Sequence, residues 1–127
     1  MGAKIVKLTK ADPSNPGAAI RVKYCDTFFS KGLGAMFKKE LQPDEGLILV
    51  DSQESRVNAG IHMLFMNFDL AVLWLDRNWV VVDKVLARKW RPMYLPQAPA
   101  QFVAELHPDQ LVNFELGDKL VLEKIIE

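Results

Sequence analysis

The sequence predicts a mainly β single domain, a sandwich or barrel with one or two short helices, on three observations. Short runs rich in Val, Ile, Leu and aromatic residues recur along the chain, and clusters of Gly, Pro, Asn and Asp separate them. The regular strand–helix alternation of a doubly wound sheet is missing. The chain has 127 residues, half of them hydrophobic, which suits one core and one domain over residues 1–127.

Taken in order, residues 3–9 alternate apolar and polar side chains and read as a strand at a sheet margin. Residues 11–17, with two prolines and a glycine, form a loop. Residues 19–24 read as a second strand, with Val22 and Tyr24 on one face. Asp26 and Thr27 can cap a short helix whose buried stripe is Phe29, Leu33, Met36 and Phe37. Gly32 and Gly34 limit it to a turn or two, since each costs about 1 kcal/mol in a helix interior.

Residues 41–46 form a turn, 47–50 a buried strand, and 51–56 a polar connection. Residues 58–65 and 70–75 read as two further strands. Asp76-Arg77-Asn78 then turns the chain into a strand at 79–86, the clearest local hairpin signal. Residues 89–99 are rich in proline and aromatics and predict an ordered loop. A strand at 101–106, a short helix at 108–114 opening on Pro108, a turn at Gly117-Asp118 and a closing strand at 119–126 complete the chain.

Composition narrows the functions. Sixteen Lys and Arg balance sixteen Asp and Glu, which argues against a broad basic footprint for nucleic acid or for a membrane surface. Cys25 is the sole cysteine, so no disulfide or Cys-x-x-Cys pair forms within the chain, and it reads as a small buried hydrophobe. The N-terminal residues carry no signal-peptide pattern and no run is long enough to span a bilayer, which predicts a soluble, cytoplasmic protein without membrane insertion.

Chemistry-bearing motifs are sparse. His62 and His107 lack zinc-ligand spacing, and His62 with Met63, Met66 and Cys25 reads as core rather than copper site, so no metal is expected. The chain has no Gly-x-Ser-x-Gly elbow, and Lys31-Gly-Leu-Gly34 lacks the ending of a phosphate loop. No cofactor is expected. Asp51, Glu54, Asp69, Asp76 and Asp83 fall near strand ends, where a pair could act on a sugar, as on any solvated β surface. The most telling patch is Trp90-Arg91-Pro92 with Tyr94. An aromatic face beside a guanidinium can stack a ring or grip a carboxylate, or simply close one end of the fold.

Seven segments spread over residues 19–122 stand out in order: Lys31-Gly-Leu33 with Met36-Phe37-Lys38, Leu41-Gln-Pro-Asp-Glu-Gly-Leu47, Ile61-His-Met63, Leu73-Trp-Leu-Asp76, Pro99-Ala100, Val103-Ala-Glu-Leu106 and Gly117-Asp118-Lys119-Leu120. Together they resemble a prokaryotic family, the domain of unknown function 192. Many members carry Trp-Met-Lys-Asn-Thr followed by Pro-Leu-Asp. Here those positions read His62-Met-Leu-Phe-Met66 and Asp69-Leu-Ala71, so roles of the lysine and asparagine do not transfer. Many relatives also carry an export or lipoprotein signal, which is not expected of this chain. The resemblance implies a small β-sandwich or barrel of jelly-roll type and no established activity.

Three readings follow. The first is a non-enzymatic binding or accessory domain for a small molecule or protein partner, with His62, Asp69, Trp90, Arg91 and Tyr94 at its site. There Trp90 and Tyr94 stack, Arg91 grips an anion, and His62 or Asp69 hydrogen-bonds. The second is a small enzyme acting on a sugar or related metabolite with His62 or a carboxylate as base. The third is a structural domain that docks a protein through a sheet edge or apolar patch.

Overall fold

The computed structural model describes residues 4–12, 14, 17, 19–26 and 39–124. Its strands are β1 (Lys4–Lys10), β2 (Ile20–Cys25), β3 (Glu45–Ser55), β4 (Leu70–Leu75), β5 (Val81–Ala87), β6 (Ala100–Leu106) and β7 (Leu120–Lys124). All seven lie in one sheet, in the order β5-β4-β6-β3-β2-β1-β7. Every pairing is antiparallel except that of β2 with β3, which is parallel.

The sheet is curled into a half-barrel. Its two outer strands, β5 and β7, meet at one end through the bridge Val80–Lys119. There Val81 N donates to Asp118 O at 2.9 Å, Gly117 N to Val81 O at 2.8 Å, and Leu120 N to Trp79 O at 2.9 Å. The Trp79 ring stacks on Phe102 with centroids 3.8 Å apart, an apolar floor beneath this closure. Hydrogen-bonding the two edges at one end shortens the unpaired backbone they present to solvent.

The alternation of each strand divides the core in two. The inner cluster draws on all seven strands, among them Leu8, Ile20, Ile48, Leu73, Val81, Leu106 and Leu120. A second cluster lies on the outer face of the sheet and includes Cys25, Leu47, Val72, Trp74 and Val103. Loop residues Ala59, Ile61, Met63 and Met66 cover it. Strand β4 belongs to both clusters, so all six of its residues are buried. A strand covered on both faces reads as an unbroken apolar run, as residues 70–75 do.

A 3-10 helix, Pro108–Asn113, follows β6, with Pro108 in its first turn and His107 as N-cap. His107 Nδ1 accepts from Asp109 N at 3.1 Å. Lys84 Nζ donates to Phe114 O at 2.9 Å, just beyond the helix, and so ties it to β5. The other expected helix, on the Phe29, Leu33, Met36 and Phe37 stripe, lies outside the described residues.

Two expectations are corrected. Residues 51–56 are no polar connection, because β3 runs on to Ser55. Its register against β6 shifts between Val50 and Ser55, and this irregularity carries the polar half of the strand along the rim. Residues 58–65 are no strand. The segment pairs with no strand of the sheet, and its backbone hydrogen bonds to other segments go to residues 90–94 of the neighbouring loop. It packs instead as a loop over the outer core, with a lone bridge from Ile61 to Tyr94. The described strands form a single sheet, so the two packed sheets of a sandwich are not what brings the inner core together.

Candidate functional site

The loop of residues 56–69, between β3 and β4, runs beside the loop of residues 88–99, between β5 and β6. Ile61 N donates to Tyr94 O at 2.9 Å and Tyr94 N to Ile61 O at 2.8 Å. Met63 N donates to Arg91 O at 2.9 Å, and Trp90 N to Met63 O at 2.7 Å. The two loops are therefore a short ladder of their own. Ile61 and Met63 point into the outer core while Trp90 and Met93 stay 55% and 57% exposed.

The five expected site residues all lie on this pair of loops, but in different states. Trp90 meets Phe65 edge-on, with ring centroids 5.2 Å apart at 61°. Both residues have positive φ, 69° for Trp90 and 63° for Phe65. This region is unfavourable for bulky residues, and it persists where the surroundings hold it. The Arg91 guanidinium lies 5.4 Å from the centre of the Tyr94 ring. Exposed His62 accepts from Leu64 N through Nδ1 at 3.2 Å, so its neutral form carries the proton on Nε2.

Asp69 is occupied with the fold. One carboxylate oxygen accepts from Lys89 N at 2.9 Å, and the other faces Arg88 Nη1 at 3.5 Å. The Tyr94 hydroxyl likewise accepts from Arg88 N at 2.8 Å. Both side chains pin the start of the second loop, so they position Trp90 and Arg91. Beneath them Trp74 Nε1 donates to Ala59 O at 2.7 Å, which fixes the first loop to β4.

Gly60 lies where the first loop meets side chains of the second. A Cβ there would stand 2.7 Å from Leu95 Cδ2 and 3.1 Å from Val57 O. Gly60→Ala is expected to turn the exposed Leu95 side chain aside and to cost less than about 1 kcal/mol. Thermal unfolding together with amide shifts at Ile61 and Tyr94 checks this.

One titratable group escaped the sequence reading. Glu105, on β6, stands in a row across the sheet between Leu47 on β3 and Val72 on β4, facing the outer core. It is only 5% exposed, and its Oε1 has no hydrogen-bond partner. Burial pushes its carboxyl up from 4.5 to about 7. Its signal was an acid in a buried strand, at the position two residues beyond core-facing Val103.

Among the described residues no three His, Cys, Asp or Glu side chains cluster as a metal would require. No described helix is long and apolar enough to cross a membrane. An open groove of about 470 Å³ over β1, β2 and β3 is lined by other residues. Its charges are mixed, with Arg21 and Lys23 beside Asp44 and Glu45.

Comparison with known proteins agrees with this architecture. The DUF192 family model, described as an uncharacterized ACR, matches residues 9–122. A UPF0127 protein of Pyrococcus furiosus is 36% identical over 84% of this chain and 90% of its own length. A second, from Pyrococcus horikoshii, is 38% identical over 78% and 84%. The relative from Thermococcus kodakarensis is 42% identical, but the match spans only 52% of that longer protein. Among solved structures, a suggested transcription regulator from Sinorhizobium meliloti superposes with a TM-score of 0.85 over 96% of each chain, at 15% identity. A Novosphingobium aromaticivorans protein of unknown function gives 0.80 over 94% and 86%, at 20% identity. These structural likenesses speak for the fold alone.

Proposed function

We propose a non-enzymatic binding role for this chain, which belongs to the DUF192 family of uncharacterised proteins: it is a single domain that presents one contact surface on its paired loops. The observation that carries the reading is the ladder between residues 61–63 and 90–94, which holds Trp90 exposed beside Phe65 and Arg91 over Tyr94. A large aromatic held in a fixed place meets a ligand with little ordering left to do, so less binding energy is lost on association. Trp90, Arg91 and the Nε2 side of His62 make the contact. Asp69 and Tyr94 keep the loops in place. The jelly-roll assignment of the curled sheet belongs to this same reading.

The test compares the wild-type protein with a Trp90→Ala, Arg91→Ala double variant, each immobilised and exposed to native extract. Both side chains project from the surface, so the variant is expected to melt close to wild type, within about 1 kcal/mol. It is expected to lose the molecules that wild type retains. A folded variant that keeps every one of them would remove this surface from consideration.

A further inference from the structure

The chain is neutral overall, yet its loops are not. Residues 56–69 and 88–99 hold Arg56, Arg88, Lys89 and Arg91 against the one carboxylate of Asp69. That carboxylate is already engaged by Arg88 and by Lys89 N. Among the described residues no carboxylate pairs with Arg91, whose guanidinium rests on the Tyr94 ring. The same loops expose Val57, Phe65, Trp90, Met93 and Leu95, most of the large apolar side chains that the described surface shows. The two loops thus carry a net charge of +3 beside these apolar side chains, against −3 over the rest of the chain, and among the described residues Asp83 reaches them only through Gln97 N, at 2.9 Å.

We infer that this surface docks an acidic, apolar-bearing segment of a partner protein, with its apolar side chains on Trp90, Met93 and Leu95 and its carboxylates on Arg91 and Lys89. The inference rests on the binding reading above and adds the class of partner. Three features favour a polypeptide. Arginine supplies three of the four cations, and its planar fork matches a carboxylate bidentately, which lysine does not. Trp, Met and Arg are the residues enriched where proteins meet proteins. Charge disfavours nucleic acid, because four loop cations on a chain that is neutral overall fall short of the basic stripe that follows a phosphate backbone. An anionic bilayer calls for a cluster of about four to eight basic residues, and here one of the four loop cations, Arg88, is already paired with Asp69.

The experiment titrates the full chain with four probes and follows its amide spectrum. The probes are a short peptide alternating Glu with Leu and Phe, the same peptide with Lys for every Glu, phosphatidylcholine vesicles containing phosphatidylglycerol, and oligo(dT). The expected result is binding of the Glu peptide, with shifts confined to residues 61–66 and 88–95. Arg91→Glu is expected to weaken it about tenfold or more, and to gain affinity for the Lys peptide. Arg21→Glu, on β2, keeps the wild-type affinity. Equal binding of both peptides, shifts elicited only by vesicles or oligo(dT), or no shift with any probe overturns the acidic partner. If the double variant described above still loses the captured molecules, the binding surface survives that failure. If it retains them, both readings fall.

Discussion

Replacing Glu105 by glutamine is expected to raise stability at pH 8 by up to about 3 kcal/mol and to flatten its dependence on pH. The carboxyl sits in an apolar row between Leu47 and Val72, 5% exposed and with Oε1 unpartnered, so its charged form is the costly one. Its value rises from 4.5 to about 7 on folding. A raised acid binds its proton more tightly when folded, so its contribution is full below pH 4.5. That contribution is lost as pH climbs from 4.5 through 7, at about 1.4 kcal/mol per pH unit, and is gone above it. Above pH 7 the wild type holds a buried carboxylate that glutamine does not. Denaturant melts of both proteins from pH 4 to pH 9 measure this directly. Wild-type stability that rises between pH 5 and pH 7, with no counterpart in the glutamine variant, would mean an ionised and paired carboxylate.

Trp74→Phe is expected to cost about 2–4 kcal/mol and to disturb the contact surface from below. Trp74 is 1% exposed at the centre of the outer core, and its indole donates to Ala59 O at 2.7 Å. Phenylalanine removes part of the packed volume and leaves that carbonyl without its donor. Each is costly in a buried place. The ladder between Ile61 and Tyr94 begins two residues beyond Ala59, so its amide protons should exchange faster in the variant, while those of β1, β2 and β7 keep wild-type protection at equal global stability. Uniform loss of protection would instead make Trp74 a core residue with no particular hold on the loops.

The two substitutions also mark where residue order stops being informative. Trp74 falls in an apolar run that reads as strand on sight, yet nothing in the run tells that Ala59 will lie above it. Glu105 occupies the position two residues beyond core-facing Val103. Only the register with Leu47 and Val72 shows that both its neighbours are apolar. The hairpin of β4 and β5 was legible because its turn, Asp76-Arg77-Asn78, is local, and Asp76 Oδ1 accepts from Asn78 N at 2.8 Å within it. The proline-rich stretch at 89–99 was legible for the same reason, since proline stiffens its own backbone.

The segment at 58–65 misled because β propensity measures fit to a pleated, half-buried surface, and a loop laid over a core provides much the same surroundings. The candidate site was readable as composition, Trp90, Arg91 and Tyr94 in one stiff stretch. His62 and Asp69 were expected beside it and lie on the neighbouring loop, but that Asp69 is spent on Lys89 N and Arg88 was not readable.

The sequence by itself determined a mainly β protein, the hairpin, the ordered aromatic loop, the short proline-started helix and the membership of a family without known activity. Tertiary structure decided the rest. It curled one sheet until its outer strands met at one end, buried β4 on both faces, denied residues 58–65 a strand and stranded a carboxyl in apolar surroundings. It also gathered four cations and the exposed aromatics of a neutral chain onto one end. The reason is physical. Turns and alternation are properties of neighbours in sequence, whereas pairing partners, coverage of a face and local charge depend on residues tens of positions away.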